Sequence, residues 1–352
     1  MASNSVSIEI GSHSVRAAII INGKPKPIPL GFSSAPFSCP SVAVKTSADR
    51  FYFGDYAKYW IFHSPENFYH LCDIEDSSEL SSSLYKSLFV FVLSQISNMG
   101  YEFPHLCTII TPAYYASADP RKSIIKCAAE SAGLKNISFQ SDAIAACMKG
   151  ASLDVGETVM TFDFGYSGVT LSLIRRSNRG LELVKSIRNN TIGGRQIDGL
   201  LIEEMERGTS ENIGNDILAN LLYMSNLAIC AEQIKEELTY VDECTQSIIQ
   251  NEFSISREHF VEIIAPLLSS VMLSSCKEVI NSAGLNYSDI KQVFLLGGCS
   301  NIPFVHESLN KYFIGNGCNS IRVINLASAP DYKYYACFGS AIYSSNSSSL
   351  IL

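Results

Sequence analysis

The chain contains one sequence pattern twice, first as Ser7-Ile8-Glu9-Ile10-Gly11-Ser12-His13-Ser14-Val15 and again as Thr161-Phe162-Asp163-Phe164-Gly165-Tyr166-Ser167-Gly168-Val169. In each copy an apolar strand carries one acidic residue, reaches a glycine, turns and resumes as a second apolar strand. This pattern predicts a β-hairpin with a carboxylate at its mouth, because glycine permits a tight turn. Glycine N–H groups can approach a ligand closely, and a carboxylate can hold a hydrated divalent cation. Two such hairpins facing each other would clamp a metal-bound polyphosphate.

Length, composition and charge predict a folded chain of two domains. A chain of 352 residues exceeds one ordinary core, and 47% hydrophobic with 17% charged residues is enough to fill two cores. The formal net charge is -8 and lysine and arginine form no run, so direct nucleic-acid binding is disfavoured.

The cysteines and the apolar stretches predict the compartment. Eleven cysteines are scattered without a Cys-x-x-Cys pair, which indicates buried thiols in a reducing compartment rather than disulfides or a zinc site. The N-terminus has no basic segment followed by an apolar run, and no stretch approaches about eighteen uninterrupted apolar residues. We therefore expect a cytoplasmic protein without a membrane segment.

The order of predicted elements favours α/β architecture, since each half has strands followed by helix, strand and helix. We expect helices over 139–150, over about 202–205 and over 221–237. Ser256 is the expected N-cap of a long helix that ends near residue 282. The prolines within 24–29 argue against a central strand there.

Four glycine-containing signatures follow one another along the chain: the two hairpins, then Thr191-Ile192-Gly193-Gly194, then Gly297-Gly298-Cys299-Ser300-Asn301. The last signature is weak alone, because many strand-to-helix turns contain Gly-Gly for steric reasons. In this order the four resemble the nucleotide-binding domain of the DnaK-type, seventy-kilodalton heat-shock chaperones, within the actin and sugar-kinase superfamily. Further matches are Gly54-Asp55-Tyr56-Ala57-Lys58 and Thr111-Pro112-Ala113-Tyr114-Tyr115.

The resemblance implies an α/β, two-lobed actin-like ATPase fold made of duplicated ribonuclease H-like domains, with a nucleotide cleft between the lobes. Residues 1–150 would form lobe I, with the first phosphate hairpin and a truncated peripheral subdomain. Residues 151–345 would form lobe II, with the second hairpin, the adenosine-side motif and a helical peripheral subdomain at about 194–270. After this domain the sequence contains only a serine-rich stretch, in which residues 346–352 form a tail. We therefore expect no β-sandwich domain that binds client peptides.

The resemblance also implies ATP or ADP with magnesium as the cofactor and assigns roles to residues. The metal would be held through water by Glu9 and Asp163. The phosphate loops would contain Gly11, Ser12, His13, Gly165 and Tyr166, with Gly193 and Gly194 beside the terminal phosphates. The ribose and adenine would meet Glu232, Lys235, Gly297, Gly298, Cys299 and Asn301, with Asp331 near the closing face. For Glu232 and Lys235 a solvated helix pair is an equally open interpretation.

Several departures from the family pattern point away from fast phosphate chemistry. Tyr166 places a ring where the family has glycine, and Thr170 replaces a carboxylate. Asp142 lies one residue out of register with the family's water-positioning glutamate. Residues 68–73 lack the family's catalytic lysine, whose loss should reduce the rate by several orders of magnitude. Because of these changes we assign no residue a firm catalytic role. The candidates for such a role are Asp163, Glu9 and Asp142.

These features favour a degenerate chaperone-like ATP-binding protein that acts as a co-chaperone or regulatory partner, with weak or absent hydrolysis. The partners implied are a J-domain protein, a standard chaperone of the family or a ribosome-associated complex. An active ATPase or phosphotransferase of the same superfold is one alternative, with Lys58 or Lys86 supplying a cation beside Asp142. A nucleotide-free interaction protein, with Tyr166 filling the vacated site, is the other.

Overall fold

The computed structural model describes residues 5–31, 37–46, 50–60, 65–71, 79–150, 152–208, 217–248, 251–326, 334 and 336–340. The strands, in chain order, are β1 (Ser5–Ile10), β2 (Ser14–Ile21), β3 (Lys24–Pro27), β4 (Cys39–Pro40), β5 (Val42–Lys45), β6 (Phe51–Phe53), β7 (Phe68–His70), β8 (Leu106–Thr111), β9 (Ile137–Ser141), β10 (Thr158–Phe164), β11 (Val169–Ser177), β12 (Gly180–Asn189), β13 (Glu243–Ile248), β14 (Asn251–Ser256), β15 (Ile290–Leu296) and β16 (Arg322–Asn325). The helices are α1 (Asp55–Trp60), α2 (Glu79–Asn98), α3 (Pro120–Ser131), α4 (Asp142–Gly150), α5 (Gly194–Gly208), α6 (Ile217–Glu237), α7 (Arg257–Ser282) and α8 (Pro303–Gly315).

The chain forms two compact units. Unit 1 comprises Met1–Gly156, Ile174–Leu183 and Pro330–Leu352, and unit 2 comprises Glu157–Leu173 and Val184–Ala329. Sequence reasoning assigned the segment after residue 330 to the second lobe. Instead, the described part of that segment packs in unit 1, because Tyr334, Cys337 and Phe338 lie in one apolar cluster with Ala18, Ile110 and Ala145.

The two main sheets share one strand order. The first runs β3-β2-β1-β8-β9, with β4 also paired to β2, and the second runs β12-β11-β10-β15-β16. In the first sheet β1 is antiparallel to β2 and parallel to β8, and β8 is parallel to β9. In the second, β10 is parallel to β15 and β15 to β16. This repeated order confirms the predicted duplicated α/β fold.

The core of unit 1 forms where one face of its sheet meets α2 and α3. Val6 and Ile8 alternate onto that face and pack with Leu88 and Val92 of α2. The hairpin between β1 and β2 is followed by a second tight turn at Asn22-Gly23, where both residues have positive φ values of 52° and 73°. Residues 24–27 then form an edge strand, β3, which agrees with the expectation that their prolines exclude a central position.

Helix α7 is the main core helix of unit 2. Ser256 Oγ accepts a hydrogen bond from the His259 N–H at 3.1 Å, so the predicted N-cap is confirmed. Among the described residues, α7 is the helix whose length and mean hydropathy of 1.5 suffice to cross a membrane. Its apolar residues Phe260, Ile264 and Leu268 are fully buried within the core of unit 2, as in a core helix of a globular domain.

The structure corrects the prediction for residues 139–150. A strand, β9, occupies Ile137–Ser141 and pairs in parallel with β8, so the helix begins only at Asp142. The parallel pairing of Phe139 with Ile109 outweighs the local helical pattern, since a strand partner distant in sequence cannot be seen from the segment alone. Helix α5 is also longer than the expected 202–205, and β14 and β16 were not predicted.

Candidate functional site

The second hairpin loop, between β10 and β11, is held closed by backbone and side-chain bonds. The Gly165 N–H donates to the Gly168 carbonyl at 3.0 Å. Gly168 has φ +151°, and a Cβ there would lie 2.6 Å from the Asn189 carbonyl oxygen, so only glycine fits. Arg188 braces the loop by donating from Nη2 to the Ser167 carbonyl at 2.9 Å and to Ser167 Oγ at 2.7 Å. The loop therefore has a fixed conformation.

The Gly193-Gly194 pair lies directly against this loop. The Gly194 N–H donates to the Gly165 carbonyl at 3.0 Å, and the Arg195 N–H donates to the Tyr166 carbonyl at 2.9 Å. A Cβ on Gly193 would lie 2.5 Å from the Tyr166 carbonyl oxygen, so no side chain fits there. Helix α5 begins at Gly194, so two N–H groups at its start are used to hold the loop.

A third glycine, Gly297, brings the end of β15 against the carboxylate of the second hairpin. Asp163 and Leu296 are register partners in β10 and β15, and Gly297 follows with φ +79°. A Cβ on Gly297 would overlap the Asp163 carboxylate and would lie 2.6 Å from the Phe164 carbonyl carbon. By contrast, a Cβ on Gly298 would meet no atom within 4 Å. The close packing of β15 against Asp163 therefore requires a glycine at position 297 but not at position 298.

Lys235 is buried in the same place and forms an ion pair with Asp198. Lys235 Nζ lies 2.5 Å from Asp198 Oδ1 and donates to the Gly194 carbonyl at 3.4 Å. Burial alone would lower the pKa of Lys235, but the Asp198 carboxylate opposes that effect and the pKa is raised, so the side chain stays charged. With Lys235 only 8% exposed, the interpretation of Glu232 and Lys235 as a solvated pair is wrong for the lysine.

Cys299 belongs to the same group of residues. A Cβ on Gly194 would lie 3.1 Å from Cys299 Sγ and 3.3 Å from Lys235 Nζ, so these three residues are close neighbours. Burial raises the pKa of the Cys299 thiol to about 12, which keeps it neutral. Asn301 ends the 3-10 helix Gly298–Asn301, and its Oδ1 accepts from Asn325 Nδ2 at 3.3 Å.

Tyr166 lies beside two cations of this site, Arg195 and Lys235. Its ring centroid lies 5.4 Å from the Arg195 guanidinium carbon and 6.0 Å from Lys235 Nζ, within reach of cation–π attraction. Burial raises the pKa of the Tyr166 hydroxyl above its usual value despite the hydrogen bond to Arg195. The ring is half-buried and the residue's backbone accepts from α5, so Tyr166 is an integral part of the loop.

The first hairpin belongs to unit 1 and has its own supports. The Gly11 N–H donates to the Ser14 carbonyl at 3.2 Å, and a Cβ on Gly11 would lie 2.9 Å from that oxygen. Ser41 fastens the turn, since its N–H donates to the His13 carbonyl at 2.9 Å and its Oγ to the Gly11 carbonyl at 2.5 Å. Ser12 is half-buried and His13 is exposed.

Glu9 is engaged by other groups of unit 1. Its register partner across the hairpin is Arg16, whose Nη1 lies 3.5 Å from Glu9 Oε1. The Cys337 thiol donates to Glu9 Oε2 at 3.8 Å. Burial raises the pKa of the Glu9 carboxyl, and the Arg16 charge opposes that rise only in part. A carboxylate paired in this way does not fit the role of holding a magnesium ion through water.

The remaining predicted residues are placed as follows. Asp142 is the first residue of α4, and its Oδ1 accepts from the Ala143 N–H at 2.6 Å. Its proposed catalytic role stays a prediction, and Asp331 lies outside the described residues. In the part of the chain that the structure describes, no group of three or more His, Cys, Asp and Glu side chains is arranged to hold a metal ion.

Sequence reasoning thus found most of the site in unit 2 but missed two ionic partners. The structure brings together Asp163, Gly165, Tyr166, Gly193, Gly194, Lys235, Gly297 and Cys299, all of which were predicted. Asp198 and Arg16 were not predicted. A buried lysine requires a counter-charge, and Asp198 lies one helical turn after Gly194, but only the folded structure shows that Lys235 is buried. Arg16 faces an acidic residue across a predicted hairpin.

Comparison with known proteins places the chain in a family. Residues 98–325, more than half of the chain, match the sequence model of the Hsp70 protein family. The chain belongs to the Hsp70 family, and its duplicated α/β sheets are consistent with the actin-like ATPase fold of that family.

Among the relatives are HscA chaperones of bacteria. The chain is 29% identical to chaperone protein HscA of Cronobacter sakazakii over 228 residues, which is 63% of this chain and 35% of that protein. It is 29% identical to chaperone protein HscA of Escherichia coli over 209 residues, 58% of this chain and 32% of that protein. A chaperone protein HscA homolog of Histophilus somni is 28% identical over 226 residues, 63% and 35% of the two chains. The chain thus spans about a third of the length of these relatives.

Proposed function

We propose that this protein is a degenerate Hsp70-type module that binds ATP or ADP and acts through protein partners, with weak or absent hydrolysis. One observation carries the proposal. In unit 2 the glycines of the family pattern are present and permit close backbone contact. The neighbouring cation Lys235 is neutralised by Asp198, and the Tyr166 ring lies within cation–π distance of Lys235. The glycines of the family pattern are thus present, and the buried charge beside them is paired within the protein.

Retained binding is supported by the tightly packed glycines. Members of the Hsp70 family in general bind ATP or ADP with magnesium. Gly193 and Gly297 both lie where a side chain would overlap the hairpin, and Gly168 has a positive φ. Glycines at such positions let backbone segments approach closely and leave no side chain to obstruct a phosphate. A purely structural domain would not need three of them around one loop.

Weak hydrolysis follows from the charges. Phosphoryl transfer is catalysed mainly by positioning and by cations that stabilise the developing negative charge. Residues 68–73, which correspond to the stretch that holds the family's catalytic lysine, contain no lysine or arginine. Asp142 is held by the first turn of its own helix. We expect turnover to be lower than in an intact relative by a factor of at least about 100, because these groups supply most of the rate.

The partner class is proposed from the family. The relatives are named chaperones, so a J-domain protein or a standard chaperone of the family is the proposed partner, and a ribosome-associated complex is a further candidate. The compartment proposed is the cytoplasm. Ten described cysteines are free and nine of them are buried, as suits a reducing environment.

The test combines a calorimetric ATP titration with a phosphate-release assay, using Escherichia coli HscA as the comparator. We expect ATP binding with turnover far below the comparator, whereas comparable turnover would overturn the proposal. Gly193→Ala should abolish binding, because its Cβ would lie 2.5 Å from the Tyr166 carbonyl oxygen. Gly199→Ala, in the helix that begins directly after Gly193, is the control, since a Cβ there meets nothing within 4 Å and binding should persist.

One alternative is favoured by a specific observation. The half-buried Tyr166 ring beside Arg195 and Lys235 suits a nucleotide-free interaction protein in which the ring has replaced the ligand. Binding that is absent in the wild type and appears only in Tyr166→Ala would favour that alternative. Binding by the wild type excludes it.

A further inference from the structure

The first hairpin carries a cation of its own beside the predicted metal carboxylate. Arg16 and Glu9 are directly opposite in the antiparallel pair of β1 and β2, so both side chains project from the same face of the sheet. Their charged atoms approach to 3.5 Å, and each side chain is 20% exposed. The hairpin mouth therefore holds a carboxylate and a guanidinium that neutralise each other.

The guanidinium is not saturated by this pairing. The Arg16–Glu9 separation is longer than the 2.7–2.9 Å typical of a charge-assisted hydrogen bond. Arg16 Nε is buried and has no hydrogen-bond partner among the described residues. An arginine in this condition gains by turning its planar donors towards a second anion, and phosphate is the anion whose geometry suits them best.

We propose that the protein binds the polyphosphate of ATP without magnesium, with Arg16 supplying at the first hairpin the positive charge that a metal would otherwise provide. The proposal rests on the proposed nucleotide-binding function and deepens it. Glu9 serves in this arrangement as the resting counter-ion of Arg16. A phosphate that binds Arg16 displaces Glu9 from it, and the Cys337 thiol, 3.8 Å from Glu9 Oε2, remains as a partner for the released carboxylate.

The proposal gives the Glu9→Gln variant an effect opposite to that expected of a metal carboxylate. If Glu9 competes with phosphate for Arg16, removal of its charge should tighten ATP binding in EDTA by about twofold to fivefold, the range for a partly exposed ion pair. If Glu9 instead holds magnesium through water, the same variant should weaken binding of magnesium-bound ATP. The two roles predict changes of opposite sign.

The experiment is a calorimetric titration of the full chain with ATP, once in EDTA and once in excess magnesium chloride. We expect the two wild-type affinities to agree within about threefold. Arg16→Ala should weaken binding in EDTA by about tenfold or more, as for a charged hydrogen bond to phosphate, and Arg16→Lys should restore part of it. Arg50→Ala, which removes an exposed arginine of the same unit, is the matched control and should change neither titration.

The outcomes separate this inference from the proposed function. Binding in magnesium but not in EDTA overturns the metal-free inference and leaves the proposed function standing. Absence of binding in both conditions overturns both. Equal binding in both conditions that Arg16→Ala does not weaken overturns the role of Arg16. Circular dichroism and thermal unfolding of each variant show whether a loss of binding is a loss of fold. The comparison of wild-type binding in EDTA and in magnesium does not depend on the folding of any variant.

Discussion

Lys235 of α6 and Asp198 of α5 form a buried ion pair at 2.5 Å, beside the Gly194 carbonyl at the start of α5. Both side chains are nearly removed from water, with 10% and 14% exposed. The pair therefore fixes the helix whose first N–H groups hold the second hairpin loop. A lysine that the family resemblance assigned to nucleotide contact here serves the structure of the site itself.

Breaking this ion pair on one side should destabilise the protein strongly. Asp198→Asn leaves a buried ammonium without its counter-charge, and we expect the free energy of unfolding to fall by about 3 kcal/mol. The measurement is urea denaturation of the purified protein. Glu203→Gln, at an exposed position of the same helix, is the control and should change stability little.

A double-mutant cycle then tests whether the loss comes from the unpaired charge. Asp198→Asn combined with Lys235→Met should be more stable than Asp198→Asn alone, since no buried charge remains. If the two substitutions were simply additive, the ion pair would not be coupled as the geometry requires.

The glycine beside Asp163 should be irreplaceable, whereas its neighbour should not. Gly297→Ala forces a Cβ into the Asp163 carboxylate at a backbone φ of +79°, and we expect a loss of about 2 kcal/mol or more in unfolding free energy. Gly298→Ala is the adjacent control, because a Cβ there meets nothing within 4 Å. Equal thermal stabilities of the two variants would contradict the close approach.

Removal of the Tyr166 ring should raise nucleotide affinity if nucleotide binds as proposed. The ring lies 5.4 Å from the Arg195 guanidinium carbon, so it competes with phosphate for that cation. With a cation–π contact of about 1 kcal/mol, Tyr166→Ala should tighten ATP binding about fivefold in a calorimetric titration. Tyr166→Phe keeps the ring and serves as the control, and an equal gain in both variants would assign the effect to the hydroxyl.

His259 should make part of the stability of unit 2 dependent on pH. Its Nε2 lies 3.0 Å from Glu204 Oε1 and its Nδ1 lies 3.2 Å from Glu262 Oε2. These hydrogen bonds raise the pKa of His259 above its ordinary value of 6.5. Because the folded pKa is the higher one, the stabilisation is fully present below the unfolded pKa and is lost as pH rises through the folded pKa.

The test is an NMR titration of the His259 ring together with thermal unfolding near pH 6 and near pH 8. The wild type should lose more stability than His259→Gln between about pH 6 and about pH 8, and the ring should titrate above about 6.5. A ring pKa at or below that value would show that the two glutamates do not hold the imidazolium.

Thiol labelling should distinguish the cysteines by burial. Among the ten described cysteines only Cys127 is exposed, whereas burial raises the pKa of Cys276, Cys299 and several others well above the ordinary thiol value. Brief treatment with iodoacetamide followed by peptide mapping should modify Cys127 before Cys299, and Cys127→Ser should remove that early signal. Early labelling of Cys299 would mean that the group formed by Gly194, Lys235 and Cys299 opens to solvent.

The parts of the fold that sequence could predict are those in which the signal is local. Both hairpins and the Ser256 cap depend on residues a few positions apart, and each was confirmed. The strand β9 was missed because its partner β8 lies about thirty residues away and overrides a helical pattern.

The same distinction applies to the site. The glycines were predicted because their spacing along the chain is itself the signal. Asp198 lies 37 positions from Lys235, and nothing near the lysine in sequence shows that it is buried. Arg16 was within reach of prediction, since cross-strand partners of a two-strand hairpin can be counted from the turn. Its effect on Glu9, however, depends on burial, which only the folded chain supplies.

The edge strand β3 has a consequence for how the protein behaves at high concentration. Its sequence, Lys24-Pro25-Lys26-Pro27, alternates two prolines with two exposed lysines along the outer border of the first sheet. Proline has no N–H to offer to an incoming strand, and adjacent positive charges repel a second copy of the same border. Unit 1 is thereby protected on this side from joining its sheet to that of a neighbouring molecule, which is the first step of β-aggregation.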